Sequence, residues 1–314
     1  MSGNSCPEPG DLPNATYFLT NLTPADRNLT IIGSVFSLIT VLITIIEWSC
    51  ITKLVSSEKL RFKLYWVTAV YPIMSLTSLS GLLAPRMSLI ANDFAILFLL
   101  AANVVFVSMS RLLLHGRDNL ITQMEIAEQR IIFQSPPCCC CLCFGTTKPN
   151  IKTLQRFERM VYLAPVFKLL LVFLELFLAT ENPTWLRKSG IINAPVIIPS
   201  VYGCNSIMNM IGSKLDDYKF QTIFKLVEVM IFFGQAQEPL LFENLLGKGF
   251  DVFDCTPLLS AVDRATYIWN FVFICEVLIF SVMLLLVMNP KKNKLFKHDK
   301  APVELLEKAE FIDT

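Results

Sequence analysis

Charge is scarce in this chain. Asp, Glu, Lys and Arg make up 17% of its 314 residues, against roughly 25% in an ordinary soluble domain, which argues against a water-exposed globular fold. Histidine is scarcer still, with only His115 and His298. A membrane-embedded zinc hydrolase needs several His and Asp ligands gathered near one membrane face, so that chemistry has no support. A phosphate-binding loop is also lacking, because Gly247-Lys-Gly249 does not have the required spacing. Without an ATPase signature, primary active transport has none either. The polar head of the chain carries no signal-peptide apolar segment.

What is present is apolar surface: 54% of residues are hydrophobic and the mean hydropathy is +0.54. These residues fall in runs of about 20, the length that crosses a hydrocarbon core about 30 Å thick. Seven runs can be read, at 28–50, 64–84, 93–114, 160–180, 191–212, 220–242 and 265–288. Helix is the default for each, since a helix satisfies its own backbone hydrogen bonds in lipid. The expected fold is an all-α integral membrane protein of seven transmembrane helices. The fifth run holds Pro195, Pro199, Gly203 and three asparagines, and is the one expected to break or re-enter.

Orientation follows from two independent signals. Sequons at Asn14, Asn21 and Asn28 crowd the N-terminus, and glycosylation there requires an external or lumenal head. With the N-terminus outside and seven spans, the cytoplasmic segments hold 18 Lys or Arg and the external ones 6, as the positive-inside rule demands. The expected organisation is a polar glycosylated extracellular head at 1–27, a seven-helix transmembrane domain at 28–289 and a basic cytoplasmic tail at 290–314. Cys6 and Cys255 then both fall outside, where a disulfide is chemically allowed.

Half of the ten cysteines lie in the stretch SPPCCCCLC, at Cys138, Cys139, Cys140, Cys141 and Cys143. In the expected topology this stretch sits in the large cytoplasmic loop 115–159, a reducing compartment that disfavours a structural disulfide. Two CxxC pairs overlap here, but there is no second cysteine pair and only His115 lies at the margin to complete a zinc shell. S-acylation fits better, since juxtamembrane cytoplasmic cysteines are its usual targets. Two or more acyl chains, at about 0.8 kcal/mol per buried CH₂, would hold the loop at the membrane. Pro136 and Pro137 should stop a polar helix expected over 117–133. No metal or other cofactor is expected.

The polar head, the seven runs, the proline-led cysteine cluster after the third run and the segment KFQTIFKLVEVMIFFGQ at 219–235 together resemble the alpha subunit of the organic solute transporters. The resemblance covers roughly residues 28–300. It implies facilitated, bidirectional transport of amphipathic organic anions such as bile acids and steroid conjugates. It also implies an obligate single-span beta subunit and delivery to the plasma membrane, with the endoplasmic reticulum as the place of assembly. No catalytic residues, and so no enzyme activity, are implied.

Ionisable groups at the bilayer centre cost about 2.5–3.5 kcal/mol each on insertion scales and so need a reason to be there. Glu47 and Arg111 lie toward cytoplasmic helix ends, where long side chains can snorkel. Lys168 and Glu175 share a helix face about 10 Å apart along the axis, which predicts no direct pair. Lys225 and Glu228, spaced i, i+3, can pair. Glu276 has no charged partner in its own run. These five, Lys168, Glu175, Lys225, Glu228 and Glu276, are read either as ion pairs holding helices together or as the lining of a substrate path, with the two lysines facing an anionic headgroup. The competing reading is a seven-span receptor-like protein or trafficking adaptor. Against a receptor, the third run ends Ser108-Met-Ser-Arg111-Leu without an acidic-Arg-aromatic triplet, and Asn289-Pro290 lacks the tyrosine of the usual motif.

Overall fold

The structure is a computed structural model that describes residues 6–126, 128, 130–133, 145–181, 190–249, 252–291 and 293–296. A short helix α1 (Ala15–Thr20) precedes α2 (Pro24–Leu54), which starts four residues before the apolar run. Thr23 caps α2 by accepting from the Asp26 amide, Pro24 takes the first turn and Asp26 adds negative charge there. The second run is one rod in two pieces, α3 (Glu58–Thr68) and α4 (Val70–Leu83), with the break just before Pro72. A 3-10 turn at Pro85–Met87 leads into α5 (Ser88–Leu113).

Beyond α5, the polar helix α6 spans only Arg117–Ile126, and Ile131–Ile132 (β1) pairs antiparallel with Thr146–Thr147 (β2). The helix expected over 117–133 therefore stops early. β-branched Ile131, Ile132, Thr146 and Thr147 suit a strand pair better than a helix. The five clustered cysteines fall between these strands, outside the described residues.

The remaining rods are α7 (Ile151–Glu181), α8 (Gly190–Ile211), α9 (Phe220–Phe232) with a wider π-helical continuation at Phe233–Gly249, and α10 (Ala261–Val287). The fifth run is thus one helix despite Pro195 and Pro199, and the irregularity lies in the sixth. There Pro239 lacks the N–H needed to continue an α-ladder, and Gly234 packs beside Met74 and Phe273 without a side chain of its own.

Among the described residues five helices are long and apolar enough to cross a membrane: 24–54, 58–83, 85–113, 151–177 and 261–287. α4 and α5 lie at the centre; α2 and α10 pack on α4, and α7 and α8 on α5. Around an apolar core, two of the outer helices turn polar side chains inward and apolar ones outward. The inward face of α2 is Asp26, Thr30, Gly33, Ser37, Thr40, Thr44, Glu47 and Ile51, while Leu38, Leu42, Ile45 and Ile46 are exposed. α7 repeats the arrangement, with Lys168 and Glu175 inside and Phe167, Leu170, Phe173 and Phe177 outside. That pattern suits a hydrocarbon surround, where outward polar groups cannot be hydrated.

At the end of the bundle where α2 and α10 begin, the N-terminal segment lies across the helices. Phe18 is buried against Tyr267, Leu258 and Leu259. Cys6 is bonded to Cys255, with their Cα atoms 5.8 Å apart. The Gly10 amide donates to Asp263 (3.1 Å), and Arg86 donates to the Leu12 carbonyl (2.6 Å).

Candidate functional site

Three helices converge on Lys168, which has no exposed surface. Its ammonium donates to Oδ1 of Asp93 on α5 (2.5 Å) and Oδ1 of Asn193 on α8 (2.7 Å). The Glu175 carboxylate lies 3.8 Å away. Asn193 also turns its amide toward Asp93 (3.4 Å), so one carboxylate oxygen ties all three helices together. Two hydrogen bonds and one longer ion pair thus surround the ammonium. Asp93 is the most accessible member, its side chain 14% exposed against 5% for Glu175.

The pairing of Lys168 with Glu175 corrects the expectation from axial spacing. A helical side chain leans toward the N-terminus, so Glu175 points back along α7 toward Lys168, and the long lysine stem closes much of the gap. Pro165 stands one turn before Lys168 and leaves the Val161 carbonyl without its intrahelical donor. Gly203 of α8 lets the two helices approach, since a Cβ there would stand 2.8 Å from the Phe157 carbonyl oxygen.

The other candidate residues form two further polar contacts. Glu228 accepts from Asn205 of α8 instead of pairing with Lys225, which is exposed on the outer face of α9 and has no ion pair among the described residues. At i, i+3 the two side chains are neighbours, but Glu228 turns inward, where an amide donor is available. Glu276 of α10 accepts from Gln237 of the π-helical segment (2.7 Å). One turn of backbone geometry therefore matters here: the π-winding also carries Glu238, which lies 3.5 Å from Asn92. Adjacent Asn92 and Asp93 thus reach the sixth rod and the Lys168 cluster respectively.

At the opposite end of α5 and α7, Arg111 donates to the Tyr162 hydroxyl (2.6 Å) and lies 3.8 Å from Glu158, while Arg117 donates to Glu158 (2.8 Å). Arg111 is therefore engaged by its neighbours rather than snorkelling. Glu47 does not snorkel either. It is 3% exposed and packed into the bundle, because its position on α2 falls on the inward stripe.

Asn14 and Asn21 are exposed at the two ends of α1, and Asn28 is exposed in the first turns of α2. Cys138, Cys139, Cys140, Cys141 and Cys143 lie outside the described residues. Sequence reasoning missed Asp93, Asn193, Asn205 and Gln237. The signal that was available was their polarity inside or at the edge of apolar runs.

Residues 29–293 match the family described as organic solute transporter Ostalpha. Three Caenorhabditis elegans proteins are similar along most of their length. Organic solute transporter alpha-like protein 3 is 31% identical over 93% of this chain and 85% of its own. Alpha-like protein 2 is 23% identical over 93% and 86%, and alpha-like protein 1 is 22% identical over 91% and 75%. No solved structure matches.

Proposed function

Because this chain belongs to the organic solute transporter Ostalpha family, we propose that it is a transporter subunit for amphipathic organic anions, steroid conjugates or bile-acid-like solutes. Transport is facilitated and bidirectional, and it takes place at the plasma membrane. In this reading all seven apolar rods cross the bilayer, with the glycosylated head outside and the basic tail inside. The chain acts with a single-span beta subunit after assembly in the endoplasmic reticulum. Acylation of the clustered cysteines holds the cytoplasmic loop 115–159 at the membrane.

The observation that carries the reading is the buried Lys168, whose nearest anion, Asp93, is also the most accessible member of its cluster. A sulfate or carboxylate on the cargo replaces Asp93 at the ammonium, so the lysine is never left without a counter-charge in low dielectric. An exchange of one anion for another avoids the full desolvation cost in both directions, as reversible transport requires. The apolar body of the cargo remains toward the hydrocarbon.

The test is uptake and efflux of a labelled sulfated steroid in cells expressing this chain with and without a candidate single-span partner. Saturable, sodium-independent flux in both directions that needs both chains is expected, with flux lost in Lys168→Ala. A correctly delivered, partnered protein that moves no anion from a steroid, bile-acid and prostaglandin panel overturns the reading.

A further inference from the structure

At the end of the bundle opposite the N-terminal strap, α7 begins with a basic stretch. The Lys152 amide donates to the Asn150 side chain (2.9 Å), which closes the first turn. Lys152, Arg156 and Arg159 then follow at steps of four and three residues, so they share one face of the helix. All three are exposed. The same stepping continues through Leu163, Val166, Leu170 and Phe173, each half exposed or more. Lys168 and Glu175 lie on the opposite, buried face. One straight stripe on the outside of α7 therefore changes from basic to apolar within a single turn, between Arg159 and Leu163.

The basic part has no counter-ion among the described residues. Glu158, the first acidic residue of α7, turns inward to Arg117 (2.8 Å) and Arg111 (3.8 Å). Of the elements packed on α7, α5 carries Asp93, which is bonded to Lys168, and α6 carries Asp118 and Glu125. None of these acids forms an ion pair with Lys152, Arg156 or Arg159. The dipole of α7 adds positive potential at the same end. The apolar part, ten residues from Leu163 to Phe173, is about 15 Å long, half of a hydrocarbon core about 30 Å thick. That is the depth of one leaflet. Helix contacts inside a bilayer rely on small residues for close approach, as Gly203 does between α7 and α8. The outer stripe has none, so it is shaped for acyl chains and an anionic head rather than for another helix.

We infer that the outer stripe of α7 is a binding site for an anionic phospholipid. Lys152, Arg156 and Arg159 hold the phosphate-bearing headgroup through charge-assisted hydrogen bonds, and the acyl chains lie along Leu163, Val166, Leu170 and Phe173. Basic residues beside a bilayer favour anionic lipids over neutral ones. Here three of them stand directly above an apolar track, so head and chains of one molecule are met together.

The experiment is native mass spectrometry of the purified full chain, released from micelles that hold equal amounts of phosphatidylserine and phosphatidylcholine. The readout involves neither cargo nor transport, so it stands apart from the functional reading above. Wild type should retain phosphatidylserine in preference to phosphatidylcholine. Each basic residue beside an anionic lipid contributes about fivefold. The combined change Lys152→Gln, Arg156→Gln and Arg159→Gln should therefore lower phosphatidylserine retention by about tenfold or more and leave phosphatidylcholine unchanged. The pair Lys53→Gln and Lys291→Gln, exposed cations at the same end of the bundle, should behave as wild type. Glycerophosphoserine, the same head without acyl chains, should not displace the lipid at equal concentration. If the triple variant does not elute as a monodisperse species, Arg156→Gln alone replaces it, with a loss of about fivefold. Equal retention of the two lipids, an equal loss in the control pair, displacement by glycerophosphoserine, or a dimer that excludes the lipid overturns the proposal.

Discussion

At the scale of single residues, Lys168 shows what a charge inside the bundle requires. Its ammonium is held by Asp93, Asn193 and Glu175, and the side chain has no exposed surface. Lys168→Met leaves the buried Glu175 and the partly buried Asp93 without a counter-ion, which should cost about 3–5 kcal/mol. The double change Lys168→Met with Asp93→Asn should recover part of that loss. Thermal unfolding of the purified chain, followed by the loss of its monodisperse elution peak, measures both. If the single variant melts with wild type, Lys168 does not depend on this cluster. Lys225→Met is the contrast: on the exposed face of α9 it should change stability by less than about 0.5 kcal/mol. The sequence marks both lysines equally, as charges within apolar runs. Which of them is paired depends on the rotation of α5, α7 and α8 about their axes, and the partners lie 75 and 25 positions away. No spacing rule within one helix can supply that.

At the scale of elements, the positions of the rods were legible because a run of about 20 apolar residues has few other structures open to it. Their irregularities were not. Pro195 and Pro199 mark α8 as breakable, yet it stays helical, while the winding changes in the sixth rod at a stretch that opens beside Gly234 and holds a single proline, Pro239. Neighbouring helices resolve such cases by taking up freed backbone groups, and the neighbours are not written in the run itself. The contact of α7 with α8 gives a direct test. At Gly203 a Cβ would meet the Phe157 carbonyl oxygen at 2.8 Å, and backbone cannot turn aside, so α8 must move off α7. At Gly33 the corresponding clash, 2.9 Å, is with Cδ1 of Leu82, the end of a side chain that can change rotamer. Gly203→Ala should therefore destabilise by about 1–3 kcal/mol, the usual cost of overpacking, and Gly33→Ala by less. Melting temperatures of the two variants in the same detergent decide the order, and equal values would mean that the α7–α8 distance is not set by Gly203.

At the scale of the whole molecule, the N-terminal strap and the segment that precedes α10 are joined by the Cys6–Cys255 bond across 249 positions. In the sequence this pair was visible only as two cysteines expected on one side. The structure supplies their meeting, through the strap of residues 6–22 that Phe18, Gly10 and Leu12 anchor to the helix ends. A disulfide here also constrains topology, because both cysteines must meet on an oxidising face. A protease site placed between the exposed residues Lys148 and Asn150 divides the chain between the two cysteines. After cleavage and denaturation, wild type should run as one species without reductant and as two fragments with it, while Cys255→Ser should separate without reductant. An impermeant reductant followed by an impermeant thiol reagent, applied to intact cells, should then label Cys6 and Cys255. Cys50, Cys204 and Cys275, half-buried or buried within α2, α8 and α10, should stay unlabelled. Labelling that requires permeabilised cells would put the strap inside, and with it the head that carries Asn14, Asn21 and Asn28. The orientation with the basic loops in the cytoplasm would then be reversed.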